Sequence, residues 1–274
     1  MESVSGAATP LARFVNVFGN RVAVLPVIHA KDERQVRSQV ELCVQAGAAG
    51  CWLINHNAHW RSLFSWGLAA KKDRPNFWIG LNCLDLNAYR AVVEVPQVFD
   101  GVWSDDGSVC DPFADDGTSL RQAEDVAREV AARRRKQPAF LYFGGVAFKG
   151  QARVRNLPAT FSVARKLIDV PTTSGDATGK APTVLKVSEA KRAVGCCPLA
   201  LASGVTVENV LSFVPYVLAF LVATGVSRDF HHLDAGRLTR LIELVNGAEF
   251  DRWGPARDAS EGECAASPGG SHAS

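Results

Sequence analysis

Eight apolar, largely β-branched runs, each followed by a segment with helical spacing, predict an α/β chain built on a parallel sheet. Eight units are enough to close that sheet on itself, and 274 residues suit a (β/α)8 TIM barrel, which typically occupies about 250. The third observation concerns residues 170–225, where the last three runs end in small-residue loops. These are Ser174-Gly175-Asp176-Ala177-Thr178-Gly179, Ser203-Gly204-Val205-Thr206 and Thr224-Gly225. An open doubly wound sheet is the alternative, but no GxGxxG follows the first run, so a dinucleotide site has no phosphate loop. The expected organisation is a lead-in over 1–20, one barrel domain over 21–250 and a disordered Gly/Ser/Ala-rich tail over 251–274.

The first strand is RVAVLPVIHA (21–30), with His29 near its end. Asp32 caps the next helix, whose Val36, Val40, Cys43 and Val44 form one apolar stripe. Gly47 and Gly50 end it, and GCWLINHN (50–57) is strand two. A less regular helix over 60–74 stops at Pro75, followed by strand three (77–85) and a short helix over 87–95. Strand four (98–107) leaves through an acidic loop carrying Asp105, Asp106, Asp111, Asp115 and Asp116. The helix over 119–136 closes with Arg133, Arg134, Arg135 and Lys136, cations suited to a solvated C-terminus. Strand five (139–148) leads into a basic, mobile stretch, KGQARVRNLP, before a helix over 161–168. Strand six (170–173), a helix over 183–194, strand seven (PLALASG), a helix from Thr206 and strand eight (AFLVATG) follow. Asp234 caps the last helix, with Leu238, Leu241, Ile242 and Val245 on its buried face.

Composition narrows the function classes. A hydrophobic fraction of 47% supports a full core, and a net charge of +2 without interleaved basic and aromatic residues gives no nucleic-acid surface. Seven cysteines without a CxxC pair argue against a disulfide framework or zinc ribbon, so the expected setting is a reducing, cytoplasmic one. The N-terminal MESVSGAATPLARF lacks the basic lead and apolar stretch of a secretory signal. Residues 210–227 carry no charge, but Pro215 divides them into a helix end and a buried strand, and no transmembrane segment is expected.

In a barrel the C-terminal strand ends share one mouth, so polar residues there are site candidates. Glycines admit close backbone approach and positive φ, which turns consecutive amides into an anion nest. Ser174, Gly175, Thr178, Gly179, Ser203, Gly204, Thr224 and Gly225 are therefore the expected phosphate-binding set. His29, Asp85, Asp105 and Lys149 are the expected catalytic groups, because isomerases and lyases need a proton donor and acceptor on opposite sides of the substrate. Lys149 could instead form a Schiff base or pair with an anion. Asn55, His56, Asn82 and Asp176 would contact the rest of the substrate. Asp85 also fits a helix cap, Asp105 and Asp106 a solvated turn, and His231-His232 a surface pair. His29, His56 and Asp105 are conceivable metal ligands, but no HxH or HExxH spacing supports them and no metal is assigned. No motif assigns a cofactor.

Several of these segments together resemble the BtpA family, named for a cyanobacterial member linked to photosystem I biogenesis. They are VIHA around His29, IGLNCLD around Asn82, TSGDATG at 173–179, ASGVTVENV at 202–210, and ATGVSRDF with LDAGRLTRLIELV, spread over residues 22–246. The resemblance implies a TIM barrel related to phosphate-binding barrels such as phosphoribosylanthranilate isomerase and the tryptophan synthase α subunit. It implies no defined reaction. Where the family tends to place an acidic residue followed by Asn at the end of strand two, this chain has Ile54-Asn55-His56-Asn57, so that carboxylate is missing. Two readings follow: an isomerase, lyase or hydrolase acting on a phosphorylated small molecule, or a non-catalytic barrel serving as a ligand-binding or complex-assembly factor. Pairing of barrels through their outer helices makes a homo-oligomer an expected state.

Overall fold

The computed structural model describes residues 8–113 and 117–252. The tail expected from residue 251 therefore lies almost wholly outside the described residues, as do Asp115 and Asp116. The strands are β1 (Ala23–Ala30), β2 (Cys51–Asn55), β3 (Ile79–Cys83), β4 (Gly101–Ser104), β5 (Leu141–Gly145), β6 (Val170–Thr173), β7 (Ala200–Ala202) and β8 (Ala219–Val222). All pair in parallel and in sequence order, and β1 pairs with β8, so the sheet closes into the expected barrel. The helices are α1 (Pro10–Phe18), before the barrel, then α2 (Glu33–Gln45), α3 (Trp60–Asp73), α4 (Ala88–Glu94), α5 (Thr118–Arg134), α6 (Leu157–Leu167), α7 (Val184–Val194) and α8 (Ala235–Arg252).

Two apolar layers hold this together. Residues on the outer strand faces, such as Leu53, Leu81 and Val102, pack against the helices. The inward residues form a separate interior cluster dominated by Trp52, Trp78, Trp103 and Phe143. Trp52 is its hub, edge-on to Trp78 at 4.9 Å, Phe143 at 5.0 Å and Trp103 at 5.8 Å. Glycines make the room, since a Cβ on Gly80 would come within 2.2 Å of the Trp52 ring. The three indole N–H groups have no partner among the described residues. That costs about 1–3 kcal/mol each. Burying about 150–250 Å² per ring contributes about 4–6 kcal/mol, so the rings still favour the interior.

Residues 10–18, expected within a surface lead-in, instead plug the N-terminal end of the barrel. Thr9 caps α1 and Gly19, at φ 74°, ends it. Phe14 and Phe18 are buried in the interior cluster, with Phe18 5.2 Å from Trp78. Arg13 of α1 and Arg134 of α5 both pair with the buried Asp169, whose carboxylate also accepts the Tyr142 amide. A polar lead-in in sequence becomes core because Phe14 and Phe18, four apart, share one helix face.

Other differences have local causes. The helix expected from Thr206 is only a 3-10 turn over Val210–Ser212. Asn209 accepts from the Thr206 amide and donates to the Gly204 carbonyl, and Pro215 cannot continue a helix. β4 stops at Ser104 because Asp106 accepts the Ser108 amide in a tight turn. Arg133, expected as a solvated cation, is buried and donates to the carbonyls of Val92, Val95 and Pro96, terminating α4. α6 starts earlier than expected, at Leu157, because Asn156 caps it and Pro158 occupies its first turn. The basic stretch before it is tied down, the amides of Arg155 and Asn156 donating to Asp111.

Phe14→Ala should lower unfolding stability by about 3–5 kcal/mol in urea denaturation. A loss below about 1 kcal/mol would show that α1 is not part of the barrel core.

Candidate active site

Side chains alternate across a strand, so the inward rows continue into the mouth. Ala23, Leu25 and Val27 of β1 lead to His29, Trp52 and Ile54 of β2 to His56, Gly80 of β3 to Asn82, and Trp103 of β4 to Asp105. The His29 and His56 rings lie 4.8 Å apart, edge to face. Asn82 Nδ2 donates to Asp105 Oδ1 at 2.8 Å. Lys149, just past β5, is close enough for its charge to act on His29, His56 and Asp105. Five sequence-predicted residues therefore gather at one mouth.

Their ionisation follows from burial. Desolvation, then the neighbouring His56, lowers His29 to about 4. His56 is lowered for the same leading reason, with Lys149 adding to it and Asp105 opposing it. Burial raises Asp105, against the Asn82 hydrogen bond and the nearby cations. A neutral imidazole, a carboxyl group displaced towards neutrality and a nearby ammonium can together take, hold and return a proton.

Asp85 and Asn55 stand outside this group. Asn55 is buried, donates to Asp85 Oδ1 at 2.7 Å and accepts the Leu84 amide at 2.8 Å. Asp85 Oδ2 accepts the Trp60 amide at 3.0 Å, where α3 begins. Both side chains are occupied in joining the β2 and β3 exits.

The three glycine loops interlock. A Cβ on Gly175 would lie 2.1 Å from the Lys180 carbonyl, one on Gly204 2.0 Å from the Ala181 amide, and one on Gly225 2.1 Å from the Val205 carbonyl. Ser203 and Gly204 have φ 68° and 71°, a consecutive left-handed pair. Beside this junction lies a cleft of 560 Å³ bounded by Gly179, Gly204, Thr206, Thr224 and Gly225, with Arg237 and Arg240 from α8. Glu208 also lines it. That carboxylate is held low, first by Thr206 and also by Arg237.

The remaining predicted phosphate residues lie elsewhere. Ser174 is fully buried; its hydroxyl donates to the Gly175 carbonyl and accepts the Lys149 amide. Thr178 accepts from Lys149 Nζ at 3.2 Å, and Asp176 lines a neighbouring cleft with Lys149 and Lys186. Gly175 acts in packing rather than lining, and half-buried Ser203 sets the turn.

Sequence reasoning missed Arg237 and Arg240. Their signal was present, because two arginines in the opening turns of a helix oppose its dipole, a placement that an anion would compensate. Phe230 and His231 were missed as well. The β8–α8 loop carries them across the mouth, so His231, expected at the surface, donates from Nδ1 to the His29 carbonyl at 2.9 Å.

No protein-family model matches the sequence, and no curated protein is similar to it in sequence at a significant level. Its likeness to solved structures is one of fold. The chain is similar to (S)-3-O-geranylgeranylglyceryl phosphate synthase from Thermoplasma acidophilum, solved with its substrate sn-glycerol-1-phosphate. That match has 12% identity and a TM-score of 0.59, over 88% of this chain and 99% of the synthase. The tryptophan synthase alpha chain of Legionella pneumophila matches at 12% identity and a TM-score of 0.60, over 88% and 98% of the two chains. Phosphoribosyl anthranilate isomerase from Thermus thermophilus matches at 15% and 0.55, over 82% and 98%. What they share with this chain is the closed TIM barrel. Among the described residues no helix is long and apolar enough to cross a membrane.

Asp85→Ala should cost about 1–3 kcal/mol in urea denaturation, since it takes the acceptor from one N–H of the buried Asn55 amide and from the Trp60 amide that opens α3. Asp105→Asn keeps an acceptor oxygen for Asn82 Nδ2 and should cost less; equal losses would contradict the division of roles drawn here. The His29 shift also predicts a pH dependence. Between an unfolded value near 6.5 and a folded value of about 4, the unfolded chain binds more protons. Stability should therefore fall as pH drops from about 6.5 towards 4. Subtracting the profile of His29→Gln should isolate that slope, and an unchanged profile would show that His29 is not held neutral.

Proposed function

We propose that the chain is an enzyme acting on a phosphorylated small molecule at its barrel mouth, by isomerase or lyase-type proton transfer. The phosphate takes the cleft of Gly179, Gly204, Thr206, Thr224, Gly225, Arg237 and Arg240. The reacting carbon lies towards His29, His56 and Asp105, with Lys149 countering negative charge that develops on the substrate. The observation that carries this reading is the interlocked junction of the β6, β7 and β8 exits beside two arginines. The positive-φ turn at Ser203 and Gly204 brings backbone close to Arg237 and Arg240 of the same cleft, and backbone amides with flanking cations suit a phosphate dianion.

Kinship with the BtpA family rests on TSGDATG and ASGVTVENV, the segments that build this junction. A second reading, a barrel that binds its ligand without turnover, has one observation in its favour. The carboxylate at Asp85 is used structurally, and β2 supplies Asn55 and His56 instead of an acid.

Inorganic phosphate titrated into the isotope-labelled protein should shift the amides of Gly204 and Gly225. Arg237→Ala should weaken that binding at least tenfold, about 1.4 kcal/mol. Binding that ignores Arg237 would sink the cleft assignment. A phosphorylated metabolite captured by the protein then separates the two readings. Turnover abolished by His29→Gln with capture retained marks an enzyme, and capture without turnover in the wild type marks a binder.

A further inference from the structure

The loop between β8 and α8 serves both halves of the mouth. Its first residues, Thr224 and Gly225, bound the anion cleft, and its middle crosses to the end of β1. There His29 Nδ1 lies 2.9 Å from the carbonyl oxygen of Phe230. A carbonyl only accepts, so Nδ1 carries the proton, and in the neutral ring Nε2 is the one nitrogen left with a lone pair. The Phe230 ring then packs 4.3 Å from His29 and 5.1 Å from His56.

We propose that Phe230 is a positioning residue for His29: its carbonyl selects the Nδ1–H tautomer and its ring shields the imidazole, so that His29 acts as a base through Nε2. This rests on the reading of the mouth as a proton-transfer site. It also makes the loop that frames the phosphate cleft the same loop that prepares the base.

The loop is built to hold that carbonyl in place. Asp229 Oδ1 accepts the amides of His231 and His232 at 2.9 and 3.0 Å, closing the turn around Phe230. Ser227 and Leu233 pair as an antiparallel bridge, and the buried Gln39 accepts the Leu233 amide at 2.7 Å. Gln35 Nε2 donates to the carbonyls of both His29 and His231, stapling the loop to β1. The titratable groups facing His29 are His56 from β2, His231 from the loop and Lys149 from the β5 exit, and all three disfavour its protonation. Asp105 acts on His56 in the opposite sense. The Phe230 carbonyl alone would favour an imidazolium, but burial outweighs it, so the hydrogen bond serves the neutral tautomer.

Nitrogen-15 NMR of the labelled chain tests this, with the His29 signals identified by their loss in His29→Gln. The expected wild-type result is a pyrrole-type Nδ1 and a pyridine-type Nε2 at neutral pH, with a titration midpoint of about 4. Asp229→Ala, which opens the turn, should give a tautomer mixture and raise the midpoint, because regained solvation, the largest cause of the shift, outweighs the lost carbonyl hydrogen bond. Phe230→Gly, which frees the backbone and removes the ring, should do the same if Asp229→Ala does not fold. Phe230→Leu keeps the carbonyl and should keep the tautomer. A wild-type Nε2–H tautomer overturns the proposal, as does an opened loop that leaves the His29 signals unchanged. Phosphate titration of the same sample tests the functional reading separately. Unmoved Gly204 and Gly225 amides count against the phosphate site even where the tautomer is as expected.

Discussion

Backbone packed directly on backbone, at three points where a side chain would not fit, is the constraint on which the functional end of this barrel depends. Gly175 sits against the Lys180 carbonyl, Gly204 against Ala181 and Gly225 against the Val205 carbonyl. Each contact removes the space a Cβ would need, so the exits of β6, β7 and β8 are drawn into one junction. Lys186 reinforces it from below, donating to the carbonyls of Ala147 and Ser174 at 2.7 Å. Its burial lowers its pKa, yet those two carbonyls give its ammonium the partners that burial demands. Residues of all three loops then border one cleft with Arg237 and Arg240 of α8.

The opposite end solves a different problem. A barrel interior must be filled, and here Trp52, Trp78, Trp103 and Phe143 fill it, with Phe14 and Phe18 of α1 closing the floor. Bulky rings low in the barrel leave the upper inward positions to His29, His56, Asn82 and Asp105. The same alternation that buries tryptophan at one level therefore presents polar groups at the next. Asp169, joining Arg13 and Arg134, ties the plug to the outer helices. Between the filled floor and the glycine junction, the β8–α8 loop is the element that touches both His29 and the cleft.

Much of the fold was legible in the chain. Asp32, Asn87 and Thr183 each cap the helix expected after them, because a short polar side chain before an apolar period satisfies free amides locally. The position of His29, Asp105 and Lys149 at strand exits was legible, since strand ends can be read from where apolar runs stop. Other assignments failed for want of partners. Asp85 has the same local appearance as Asp105, one acid after one strand, and only the position of the Trp60 amide turns it into a cap. Ser174 looks like a phosphate ligand until the Lys149 amide and the Gly175 carbonyl take both sides of its hydroxyl.

The sequence by itself determined the number and order of strands, a parallel sheet able to close, and the positions of the glycine loops, because these follow from periodicity and from conformations that only some residues adopt. Tertiary structure decided which polar groups remain available. That choice depends on contacts between residues far apart in the chain: Phe230 reaching His29 across 201 positions, Arg13 reaching Asp169 across 156. Such pairings leave no period behind. They exist only once the sheet has closed and its loops have met.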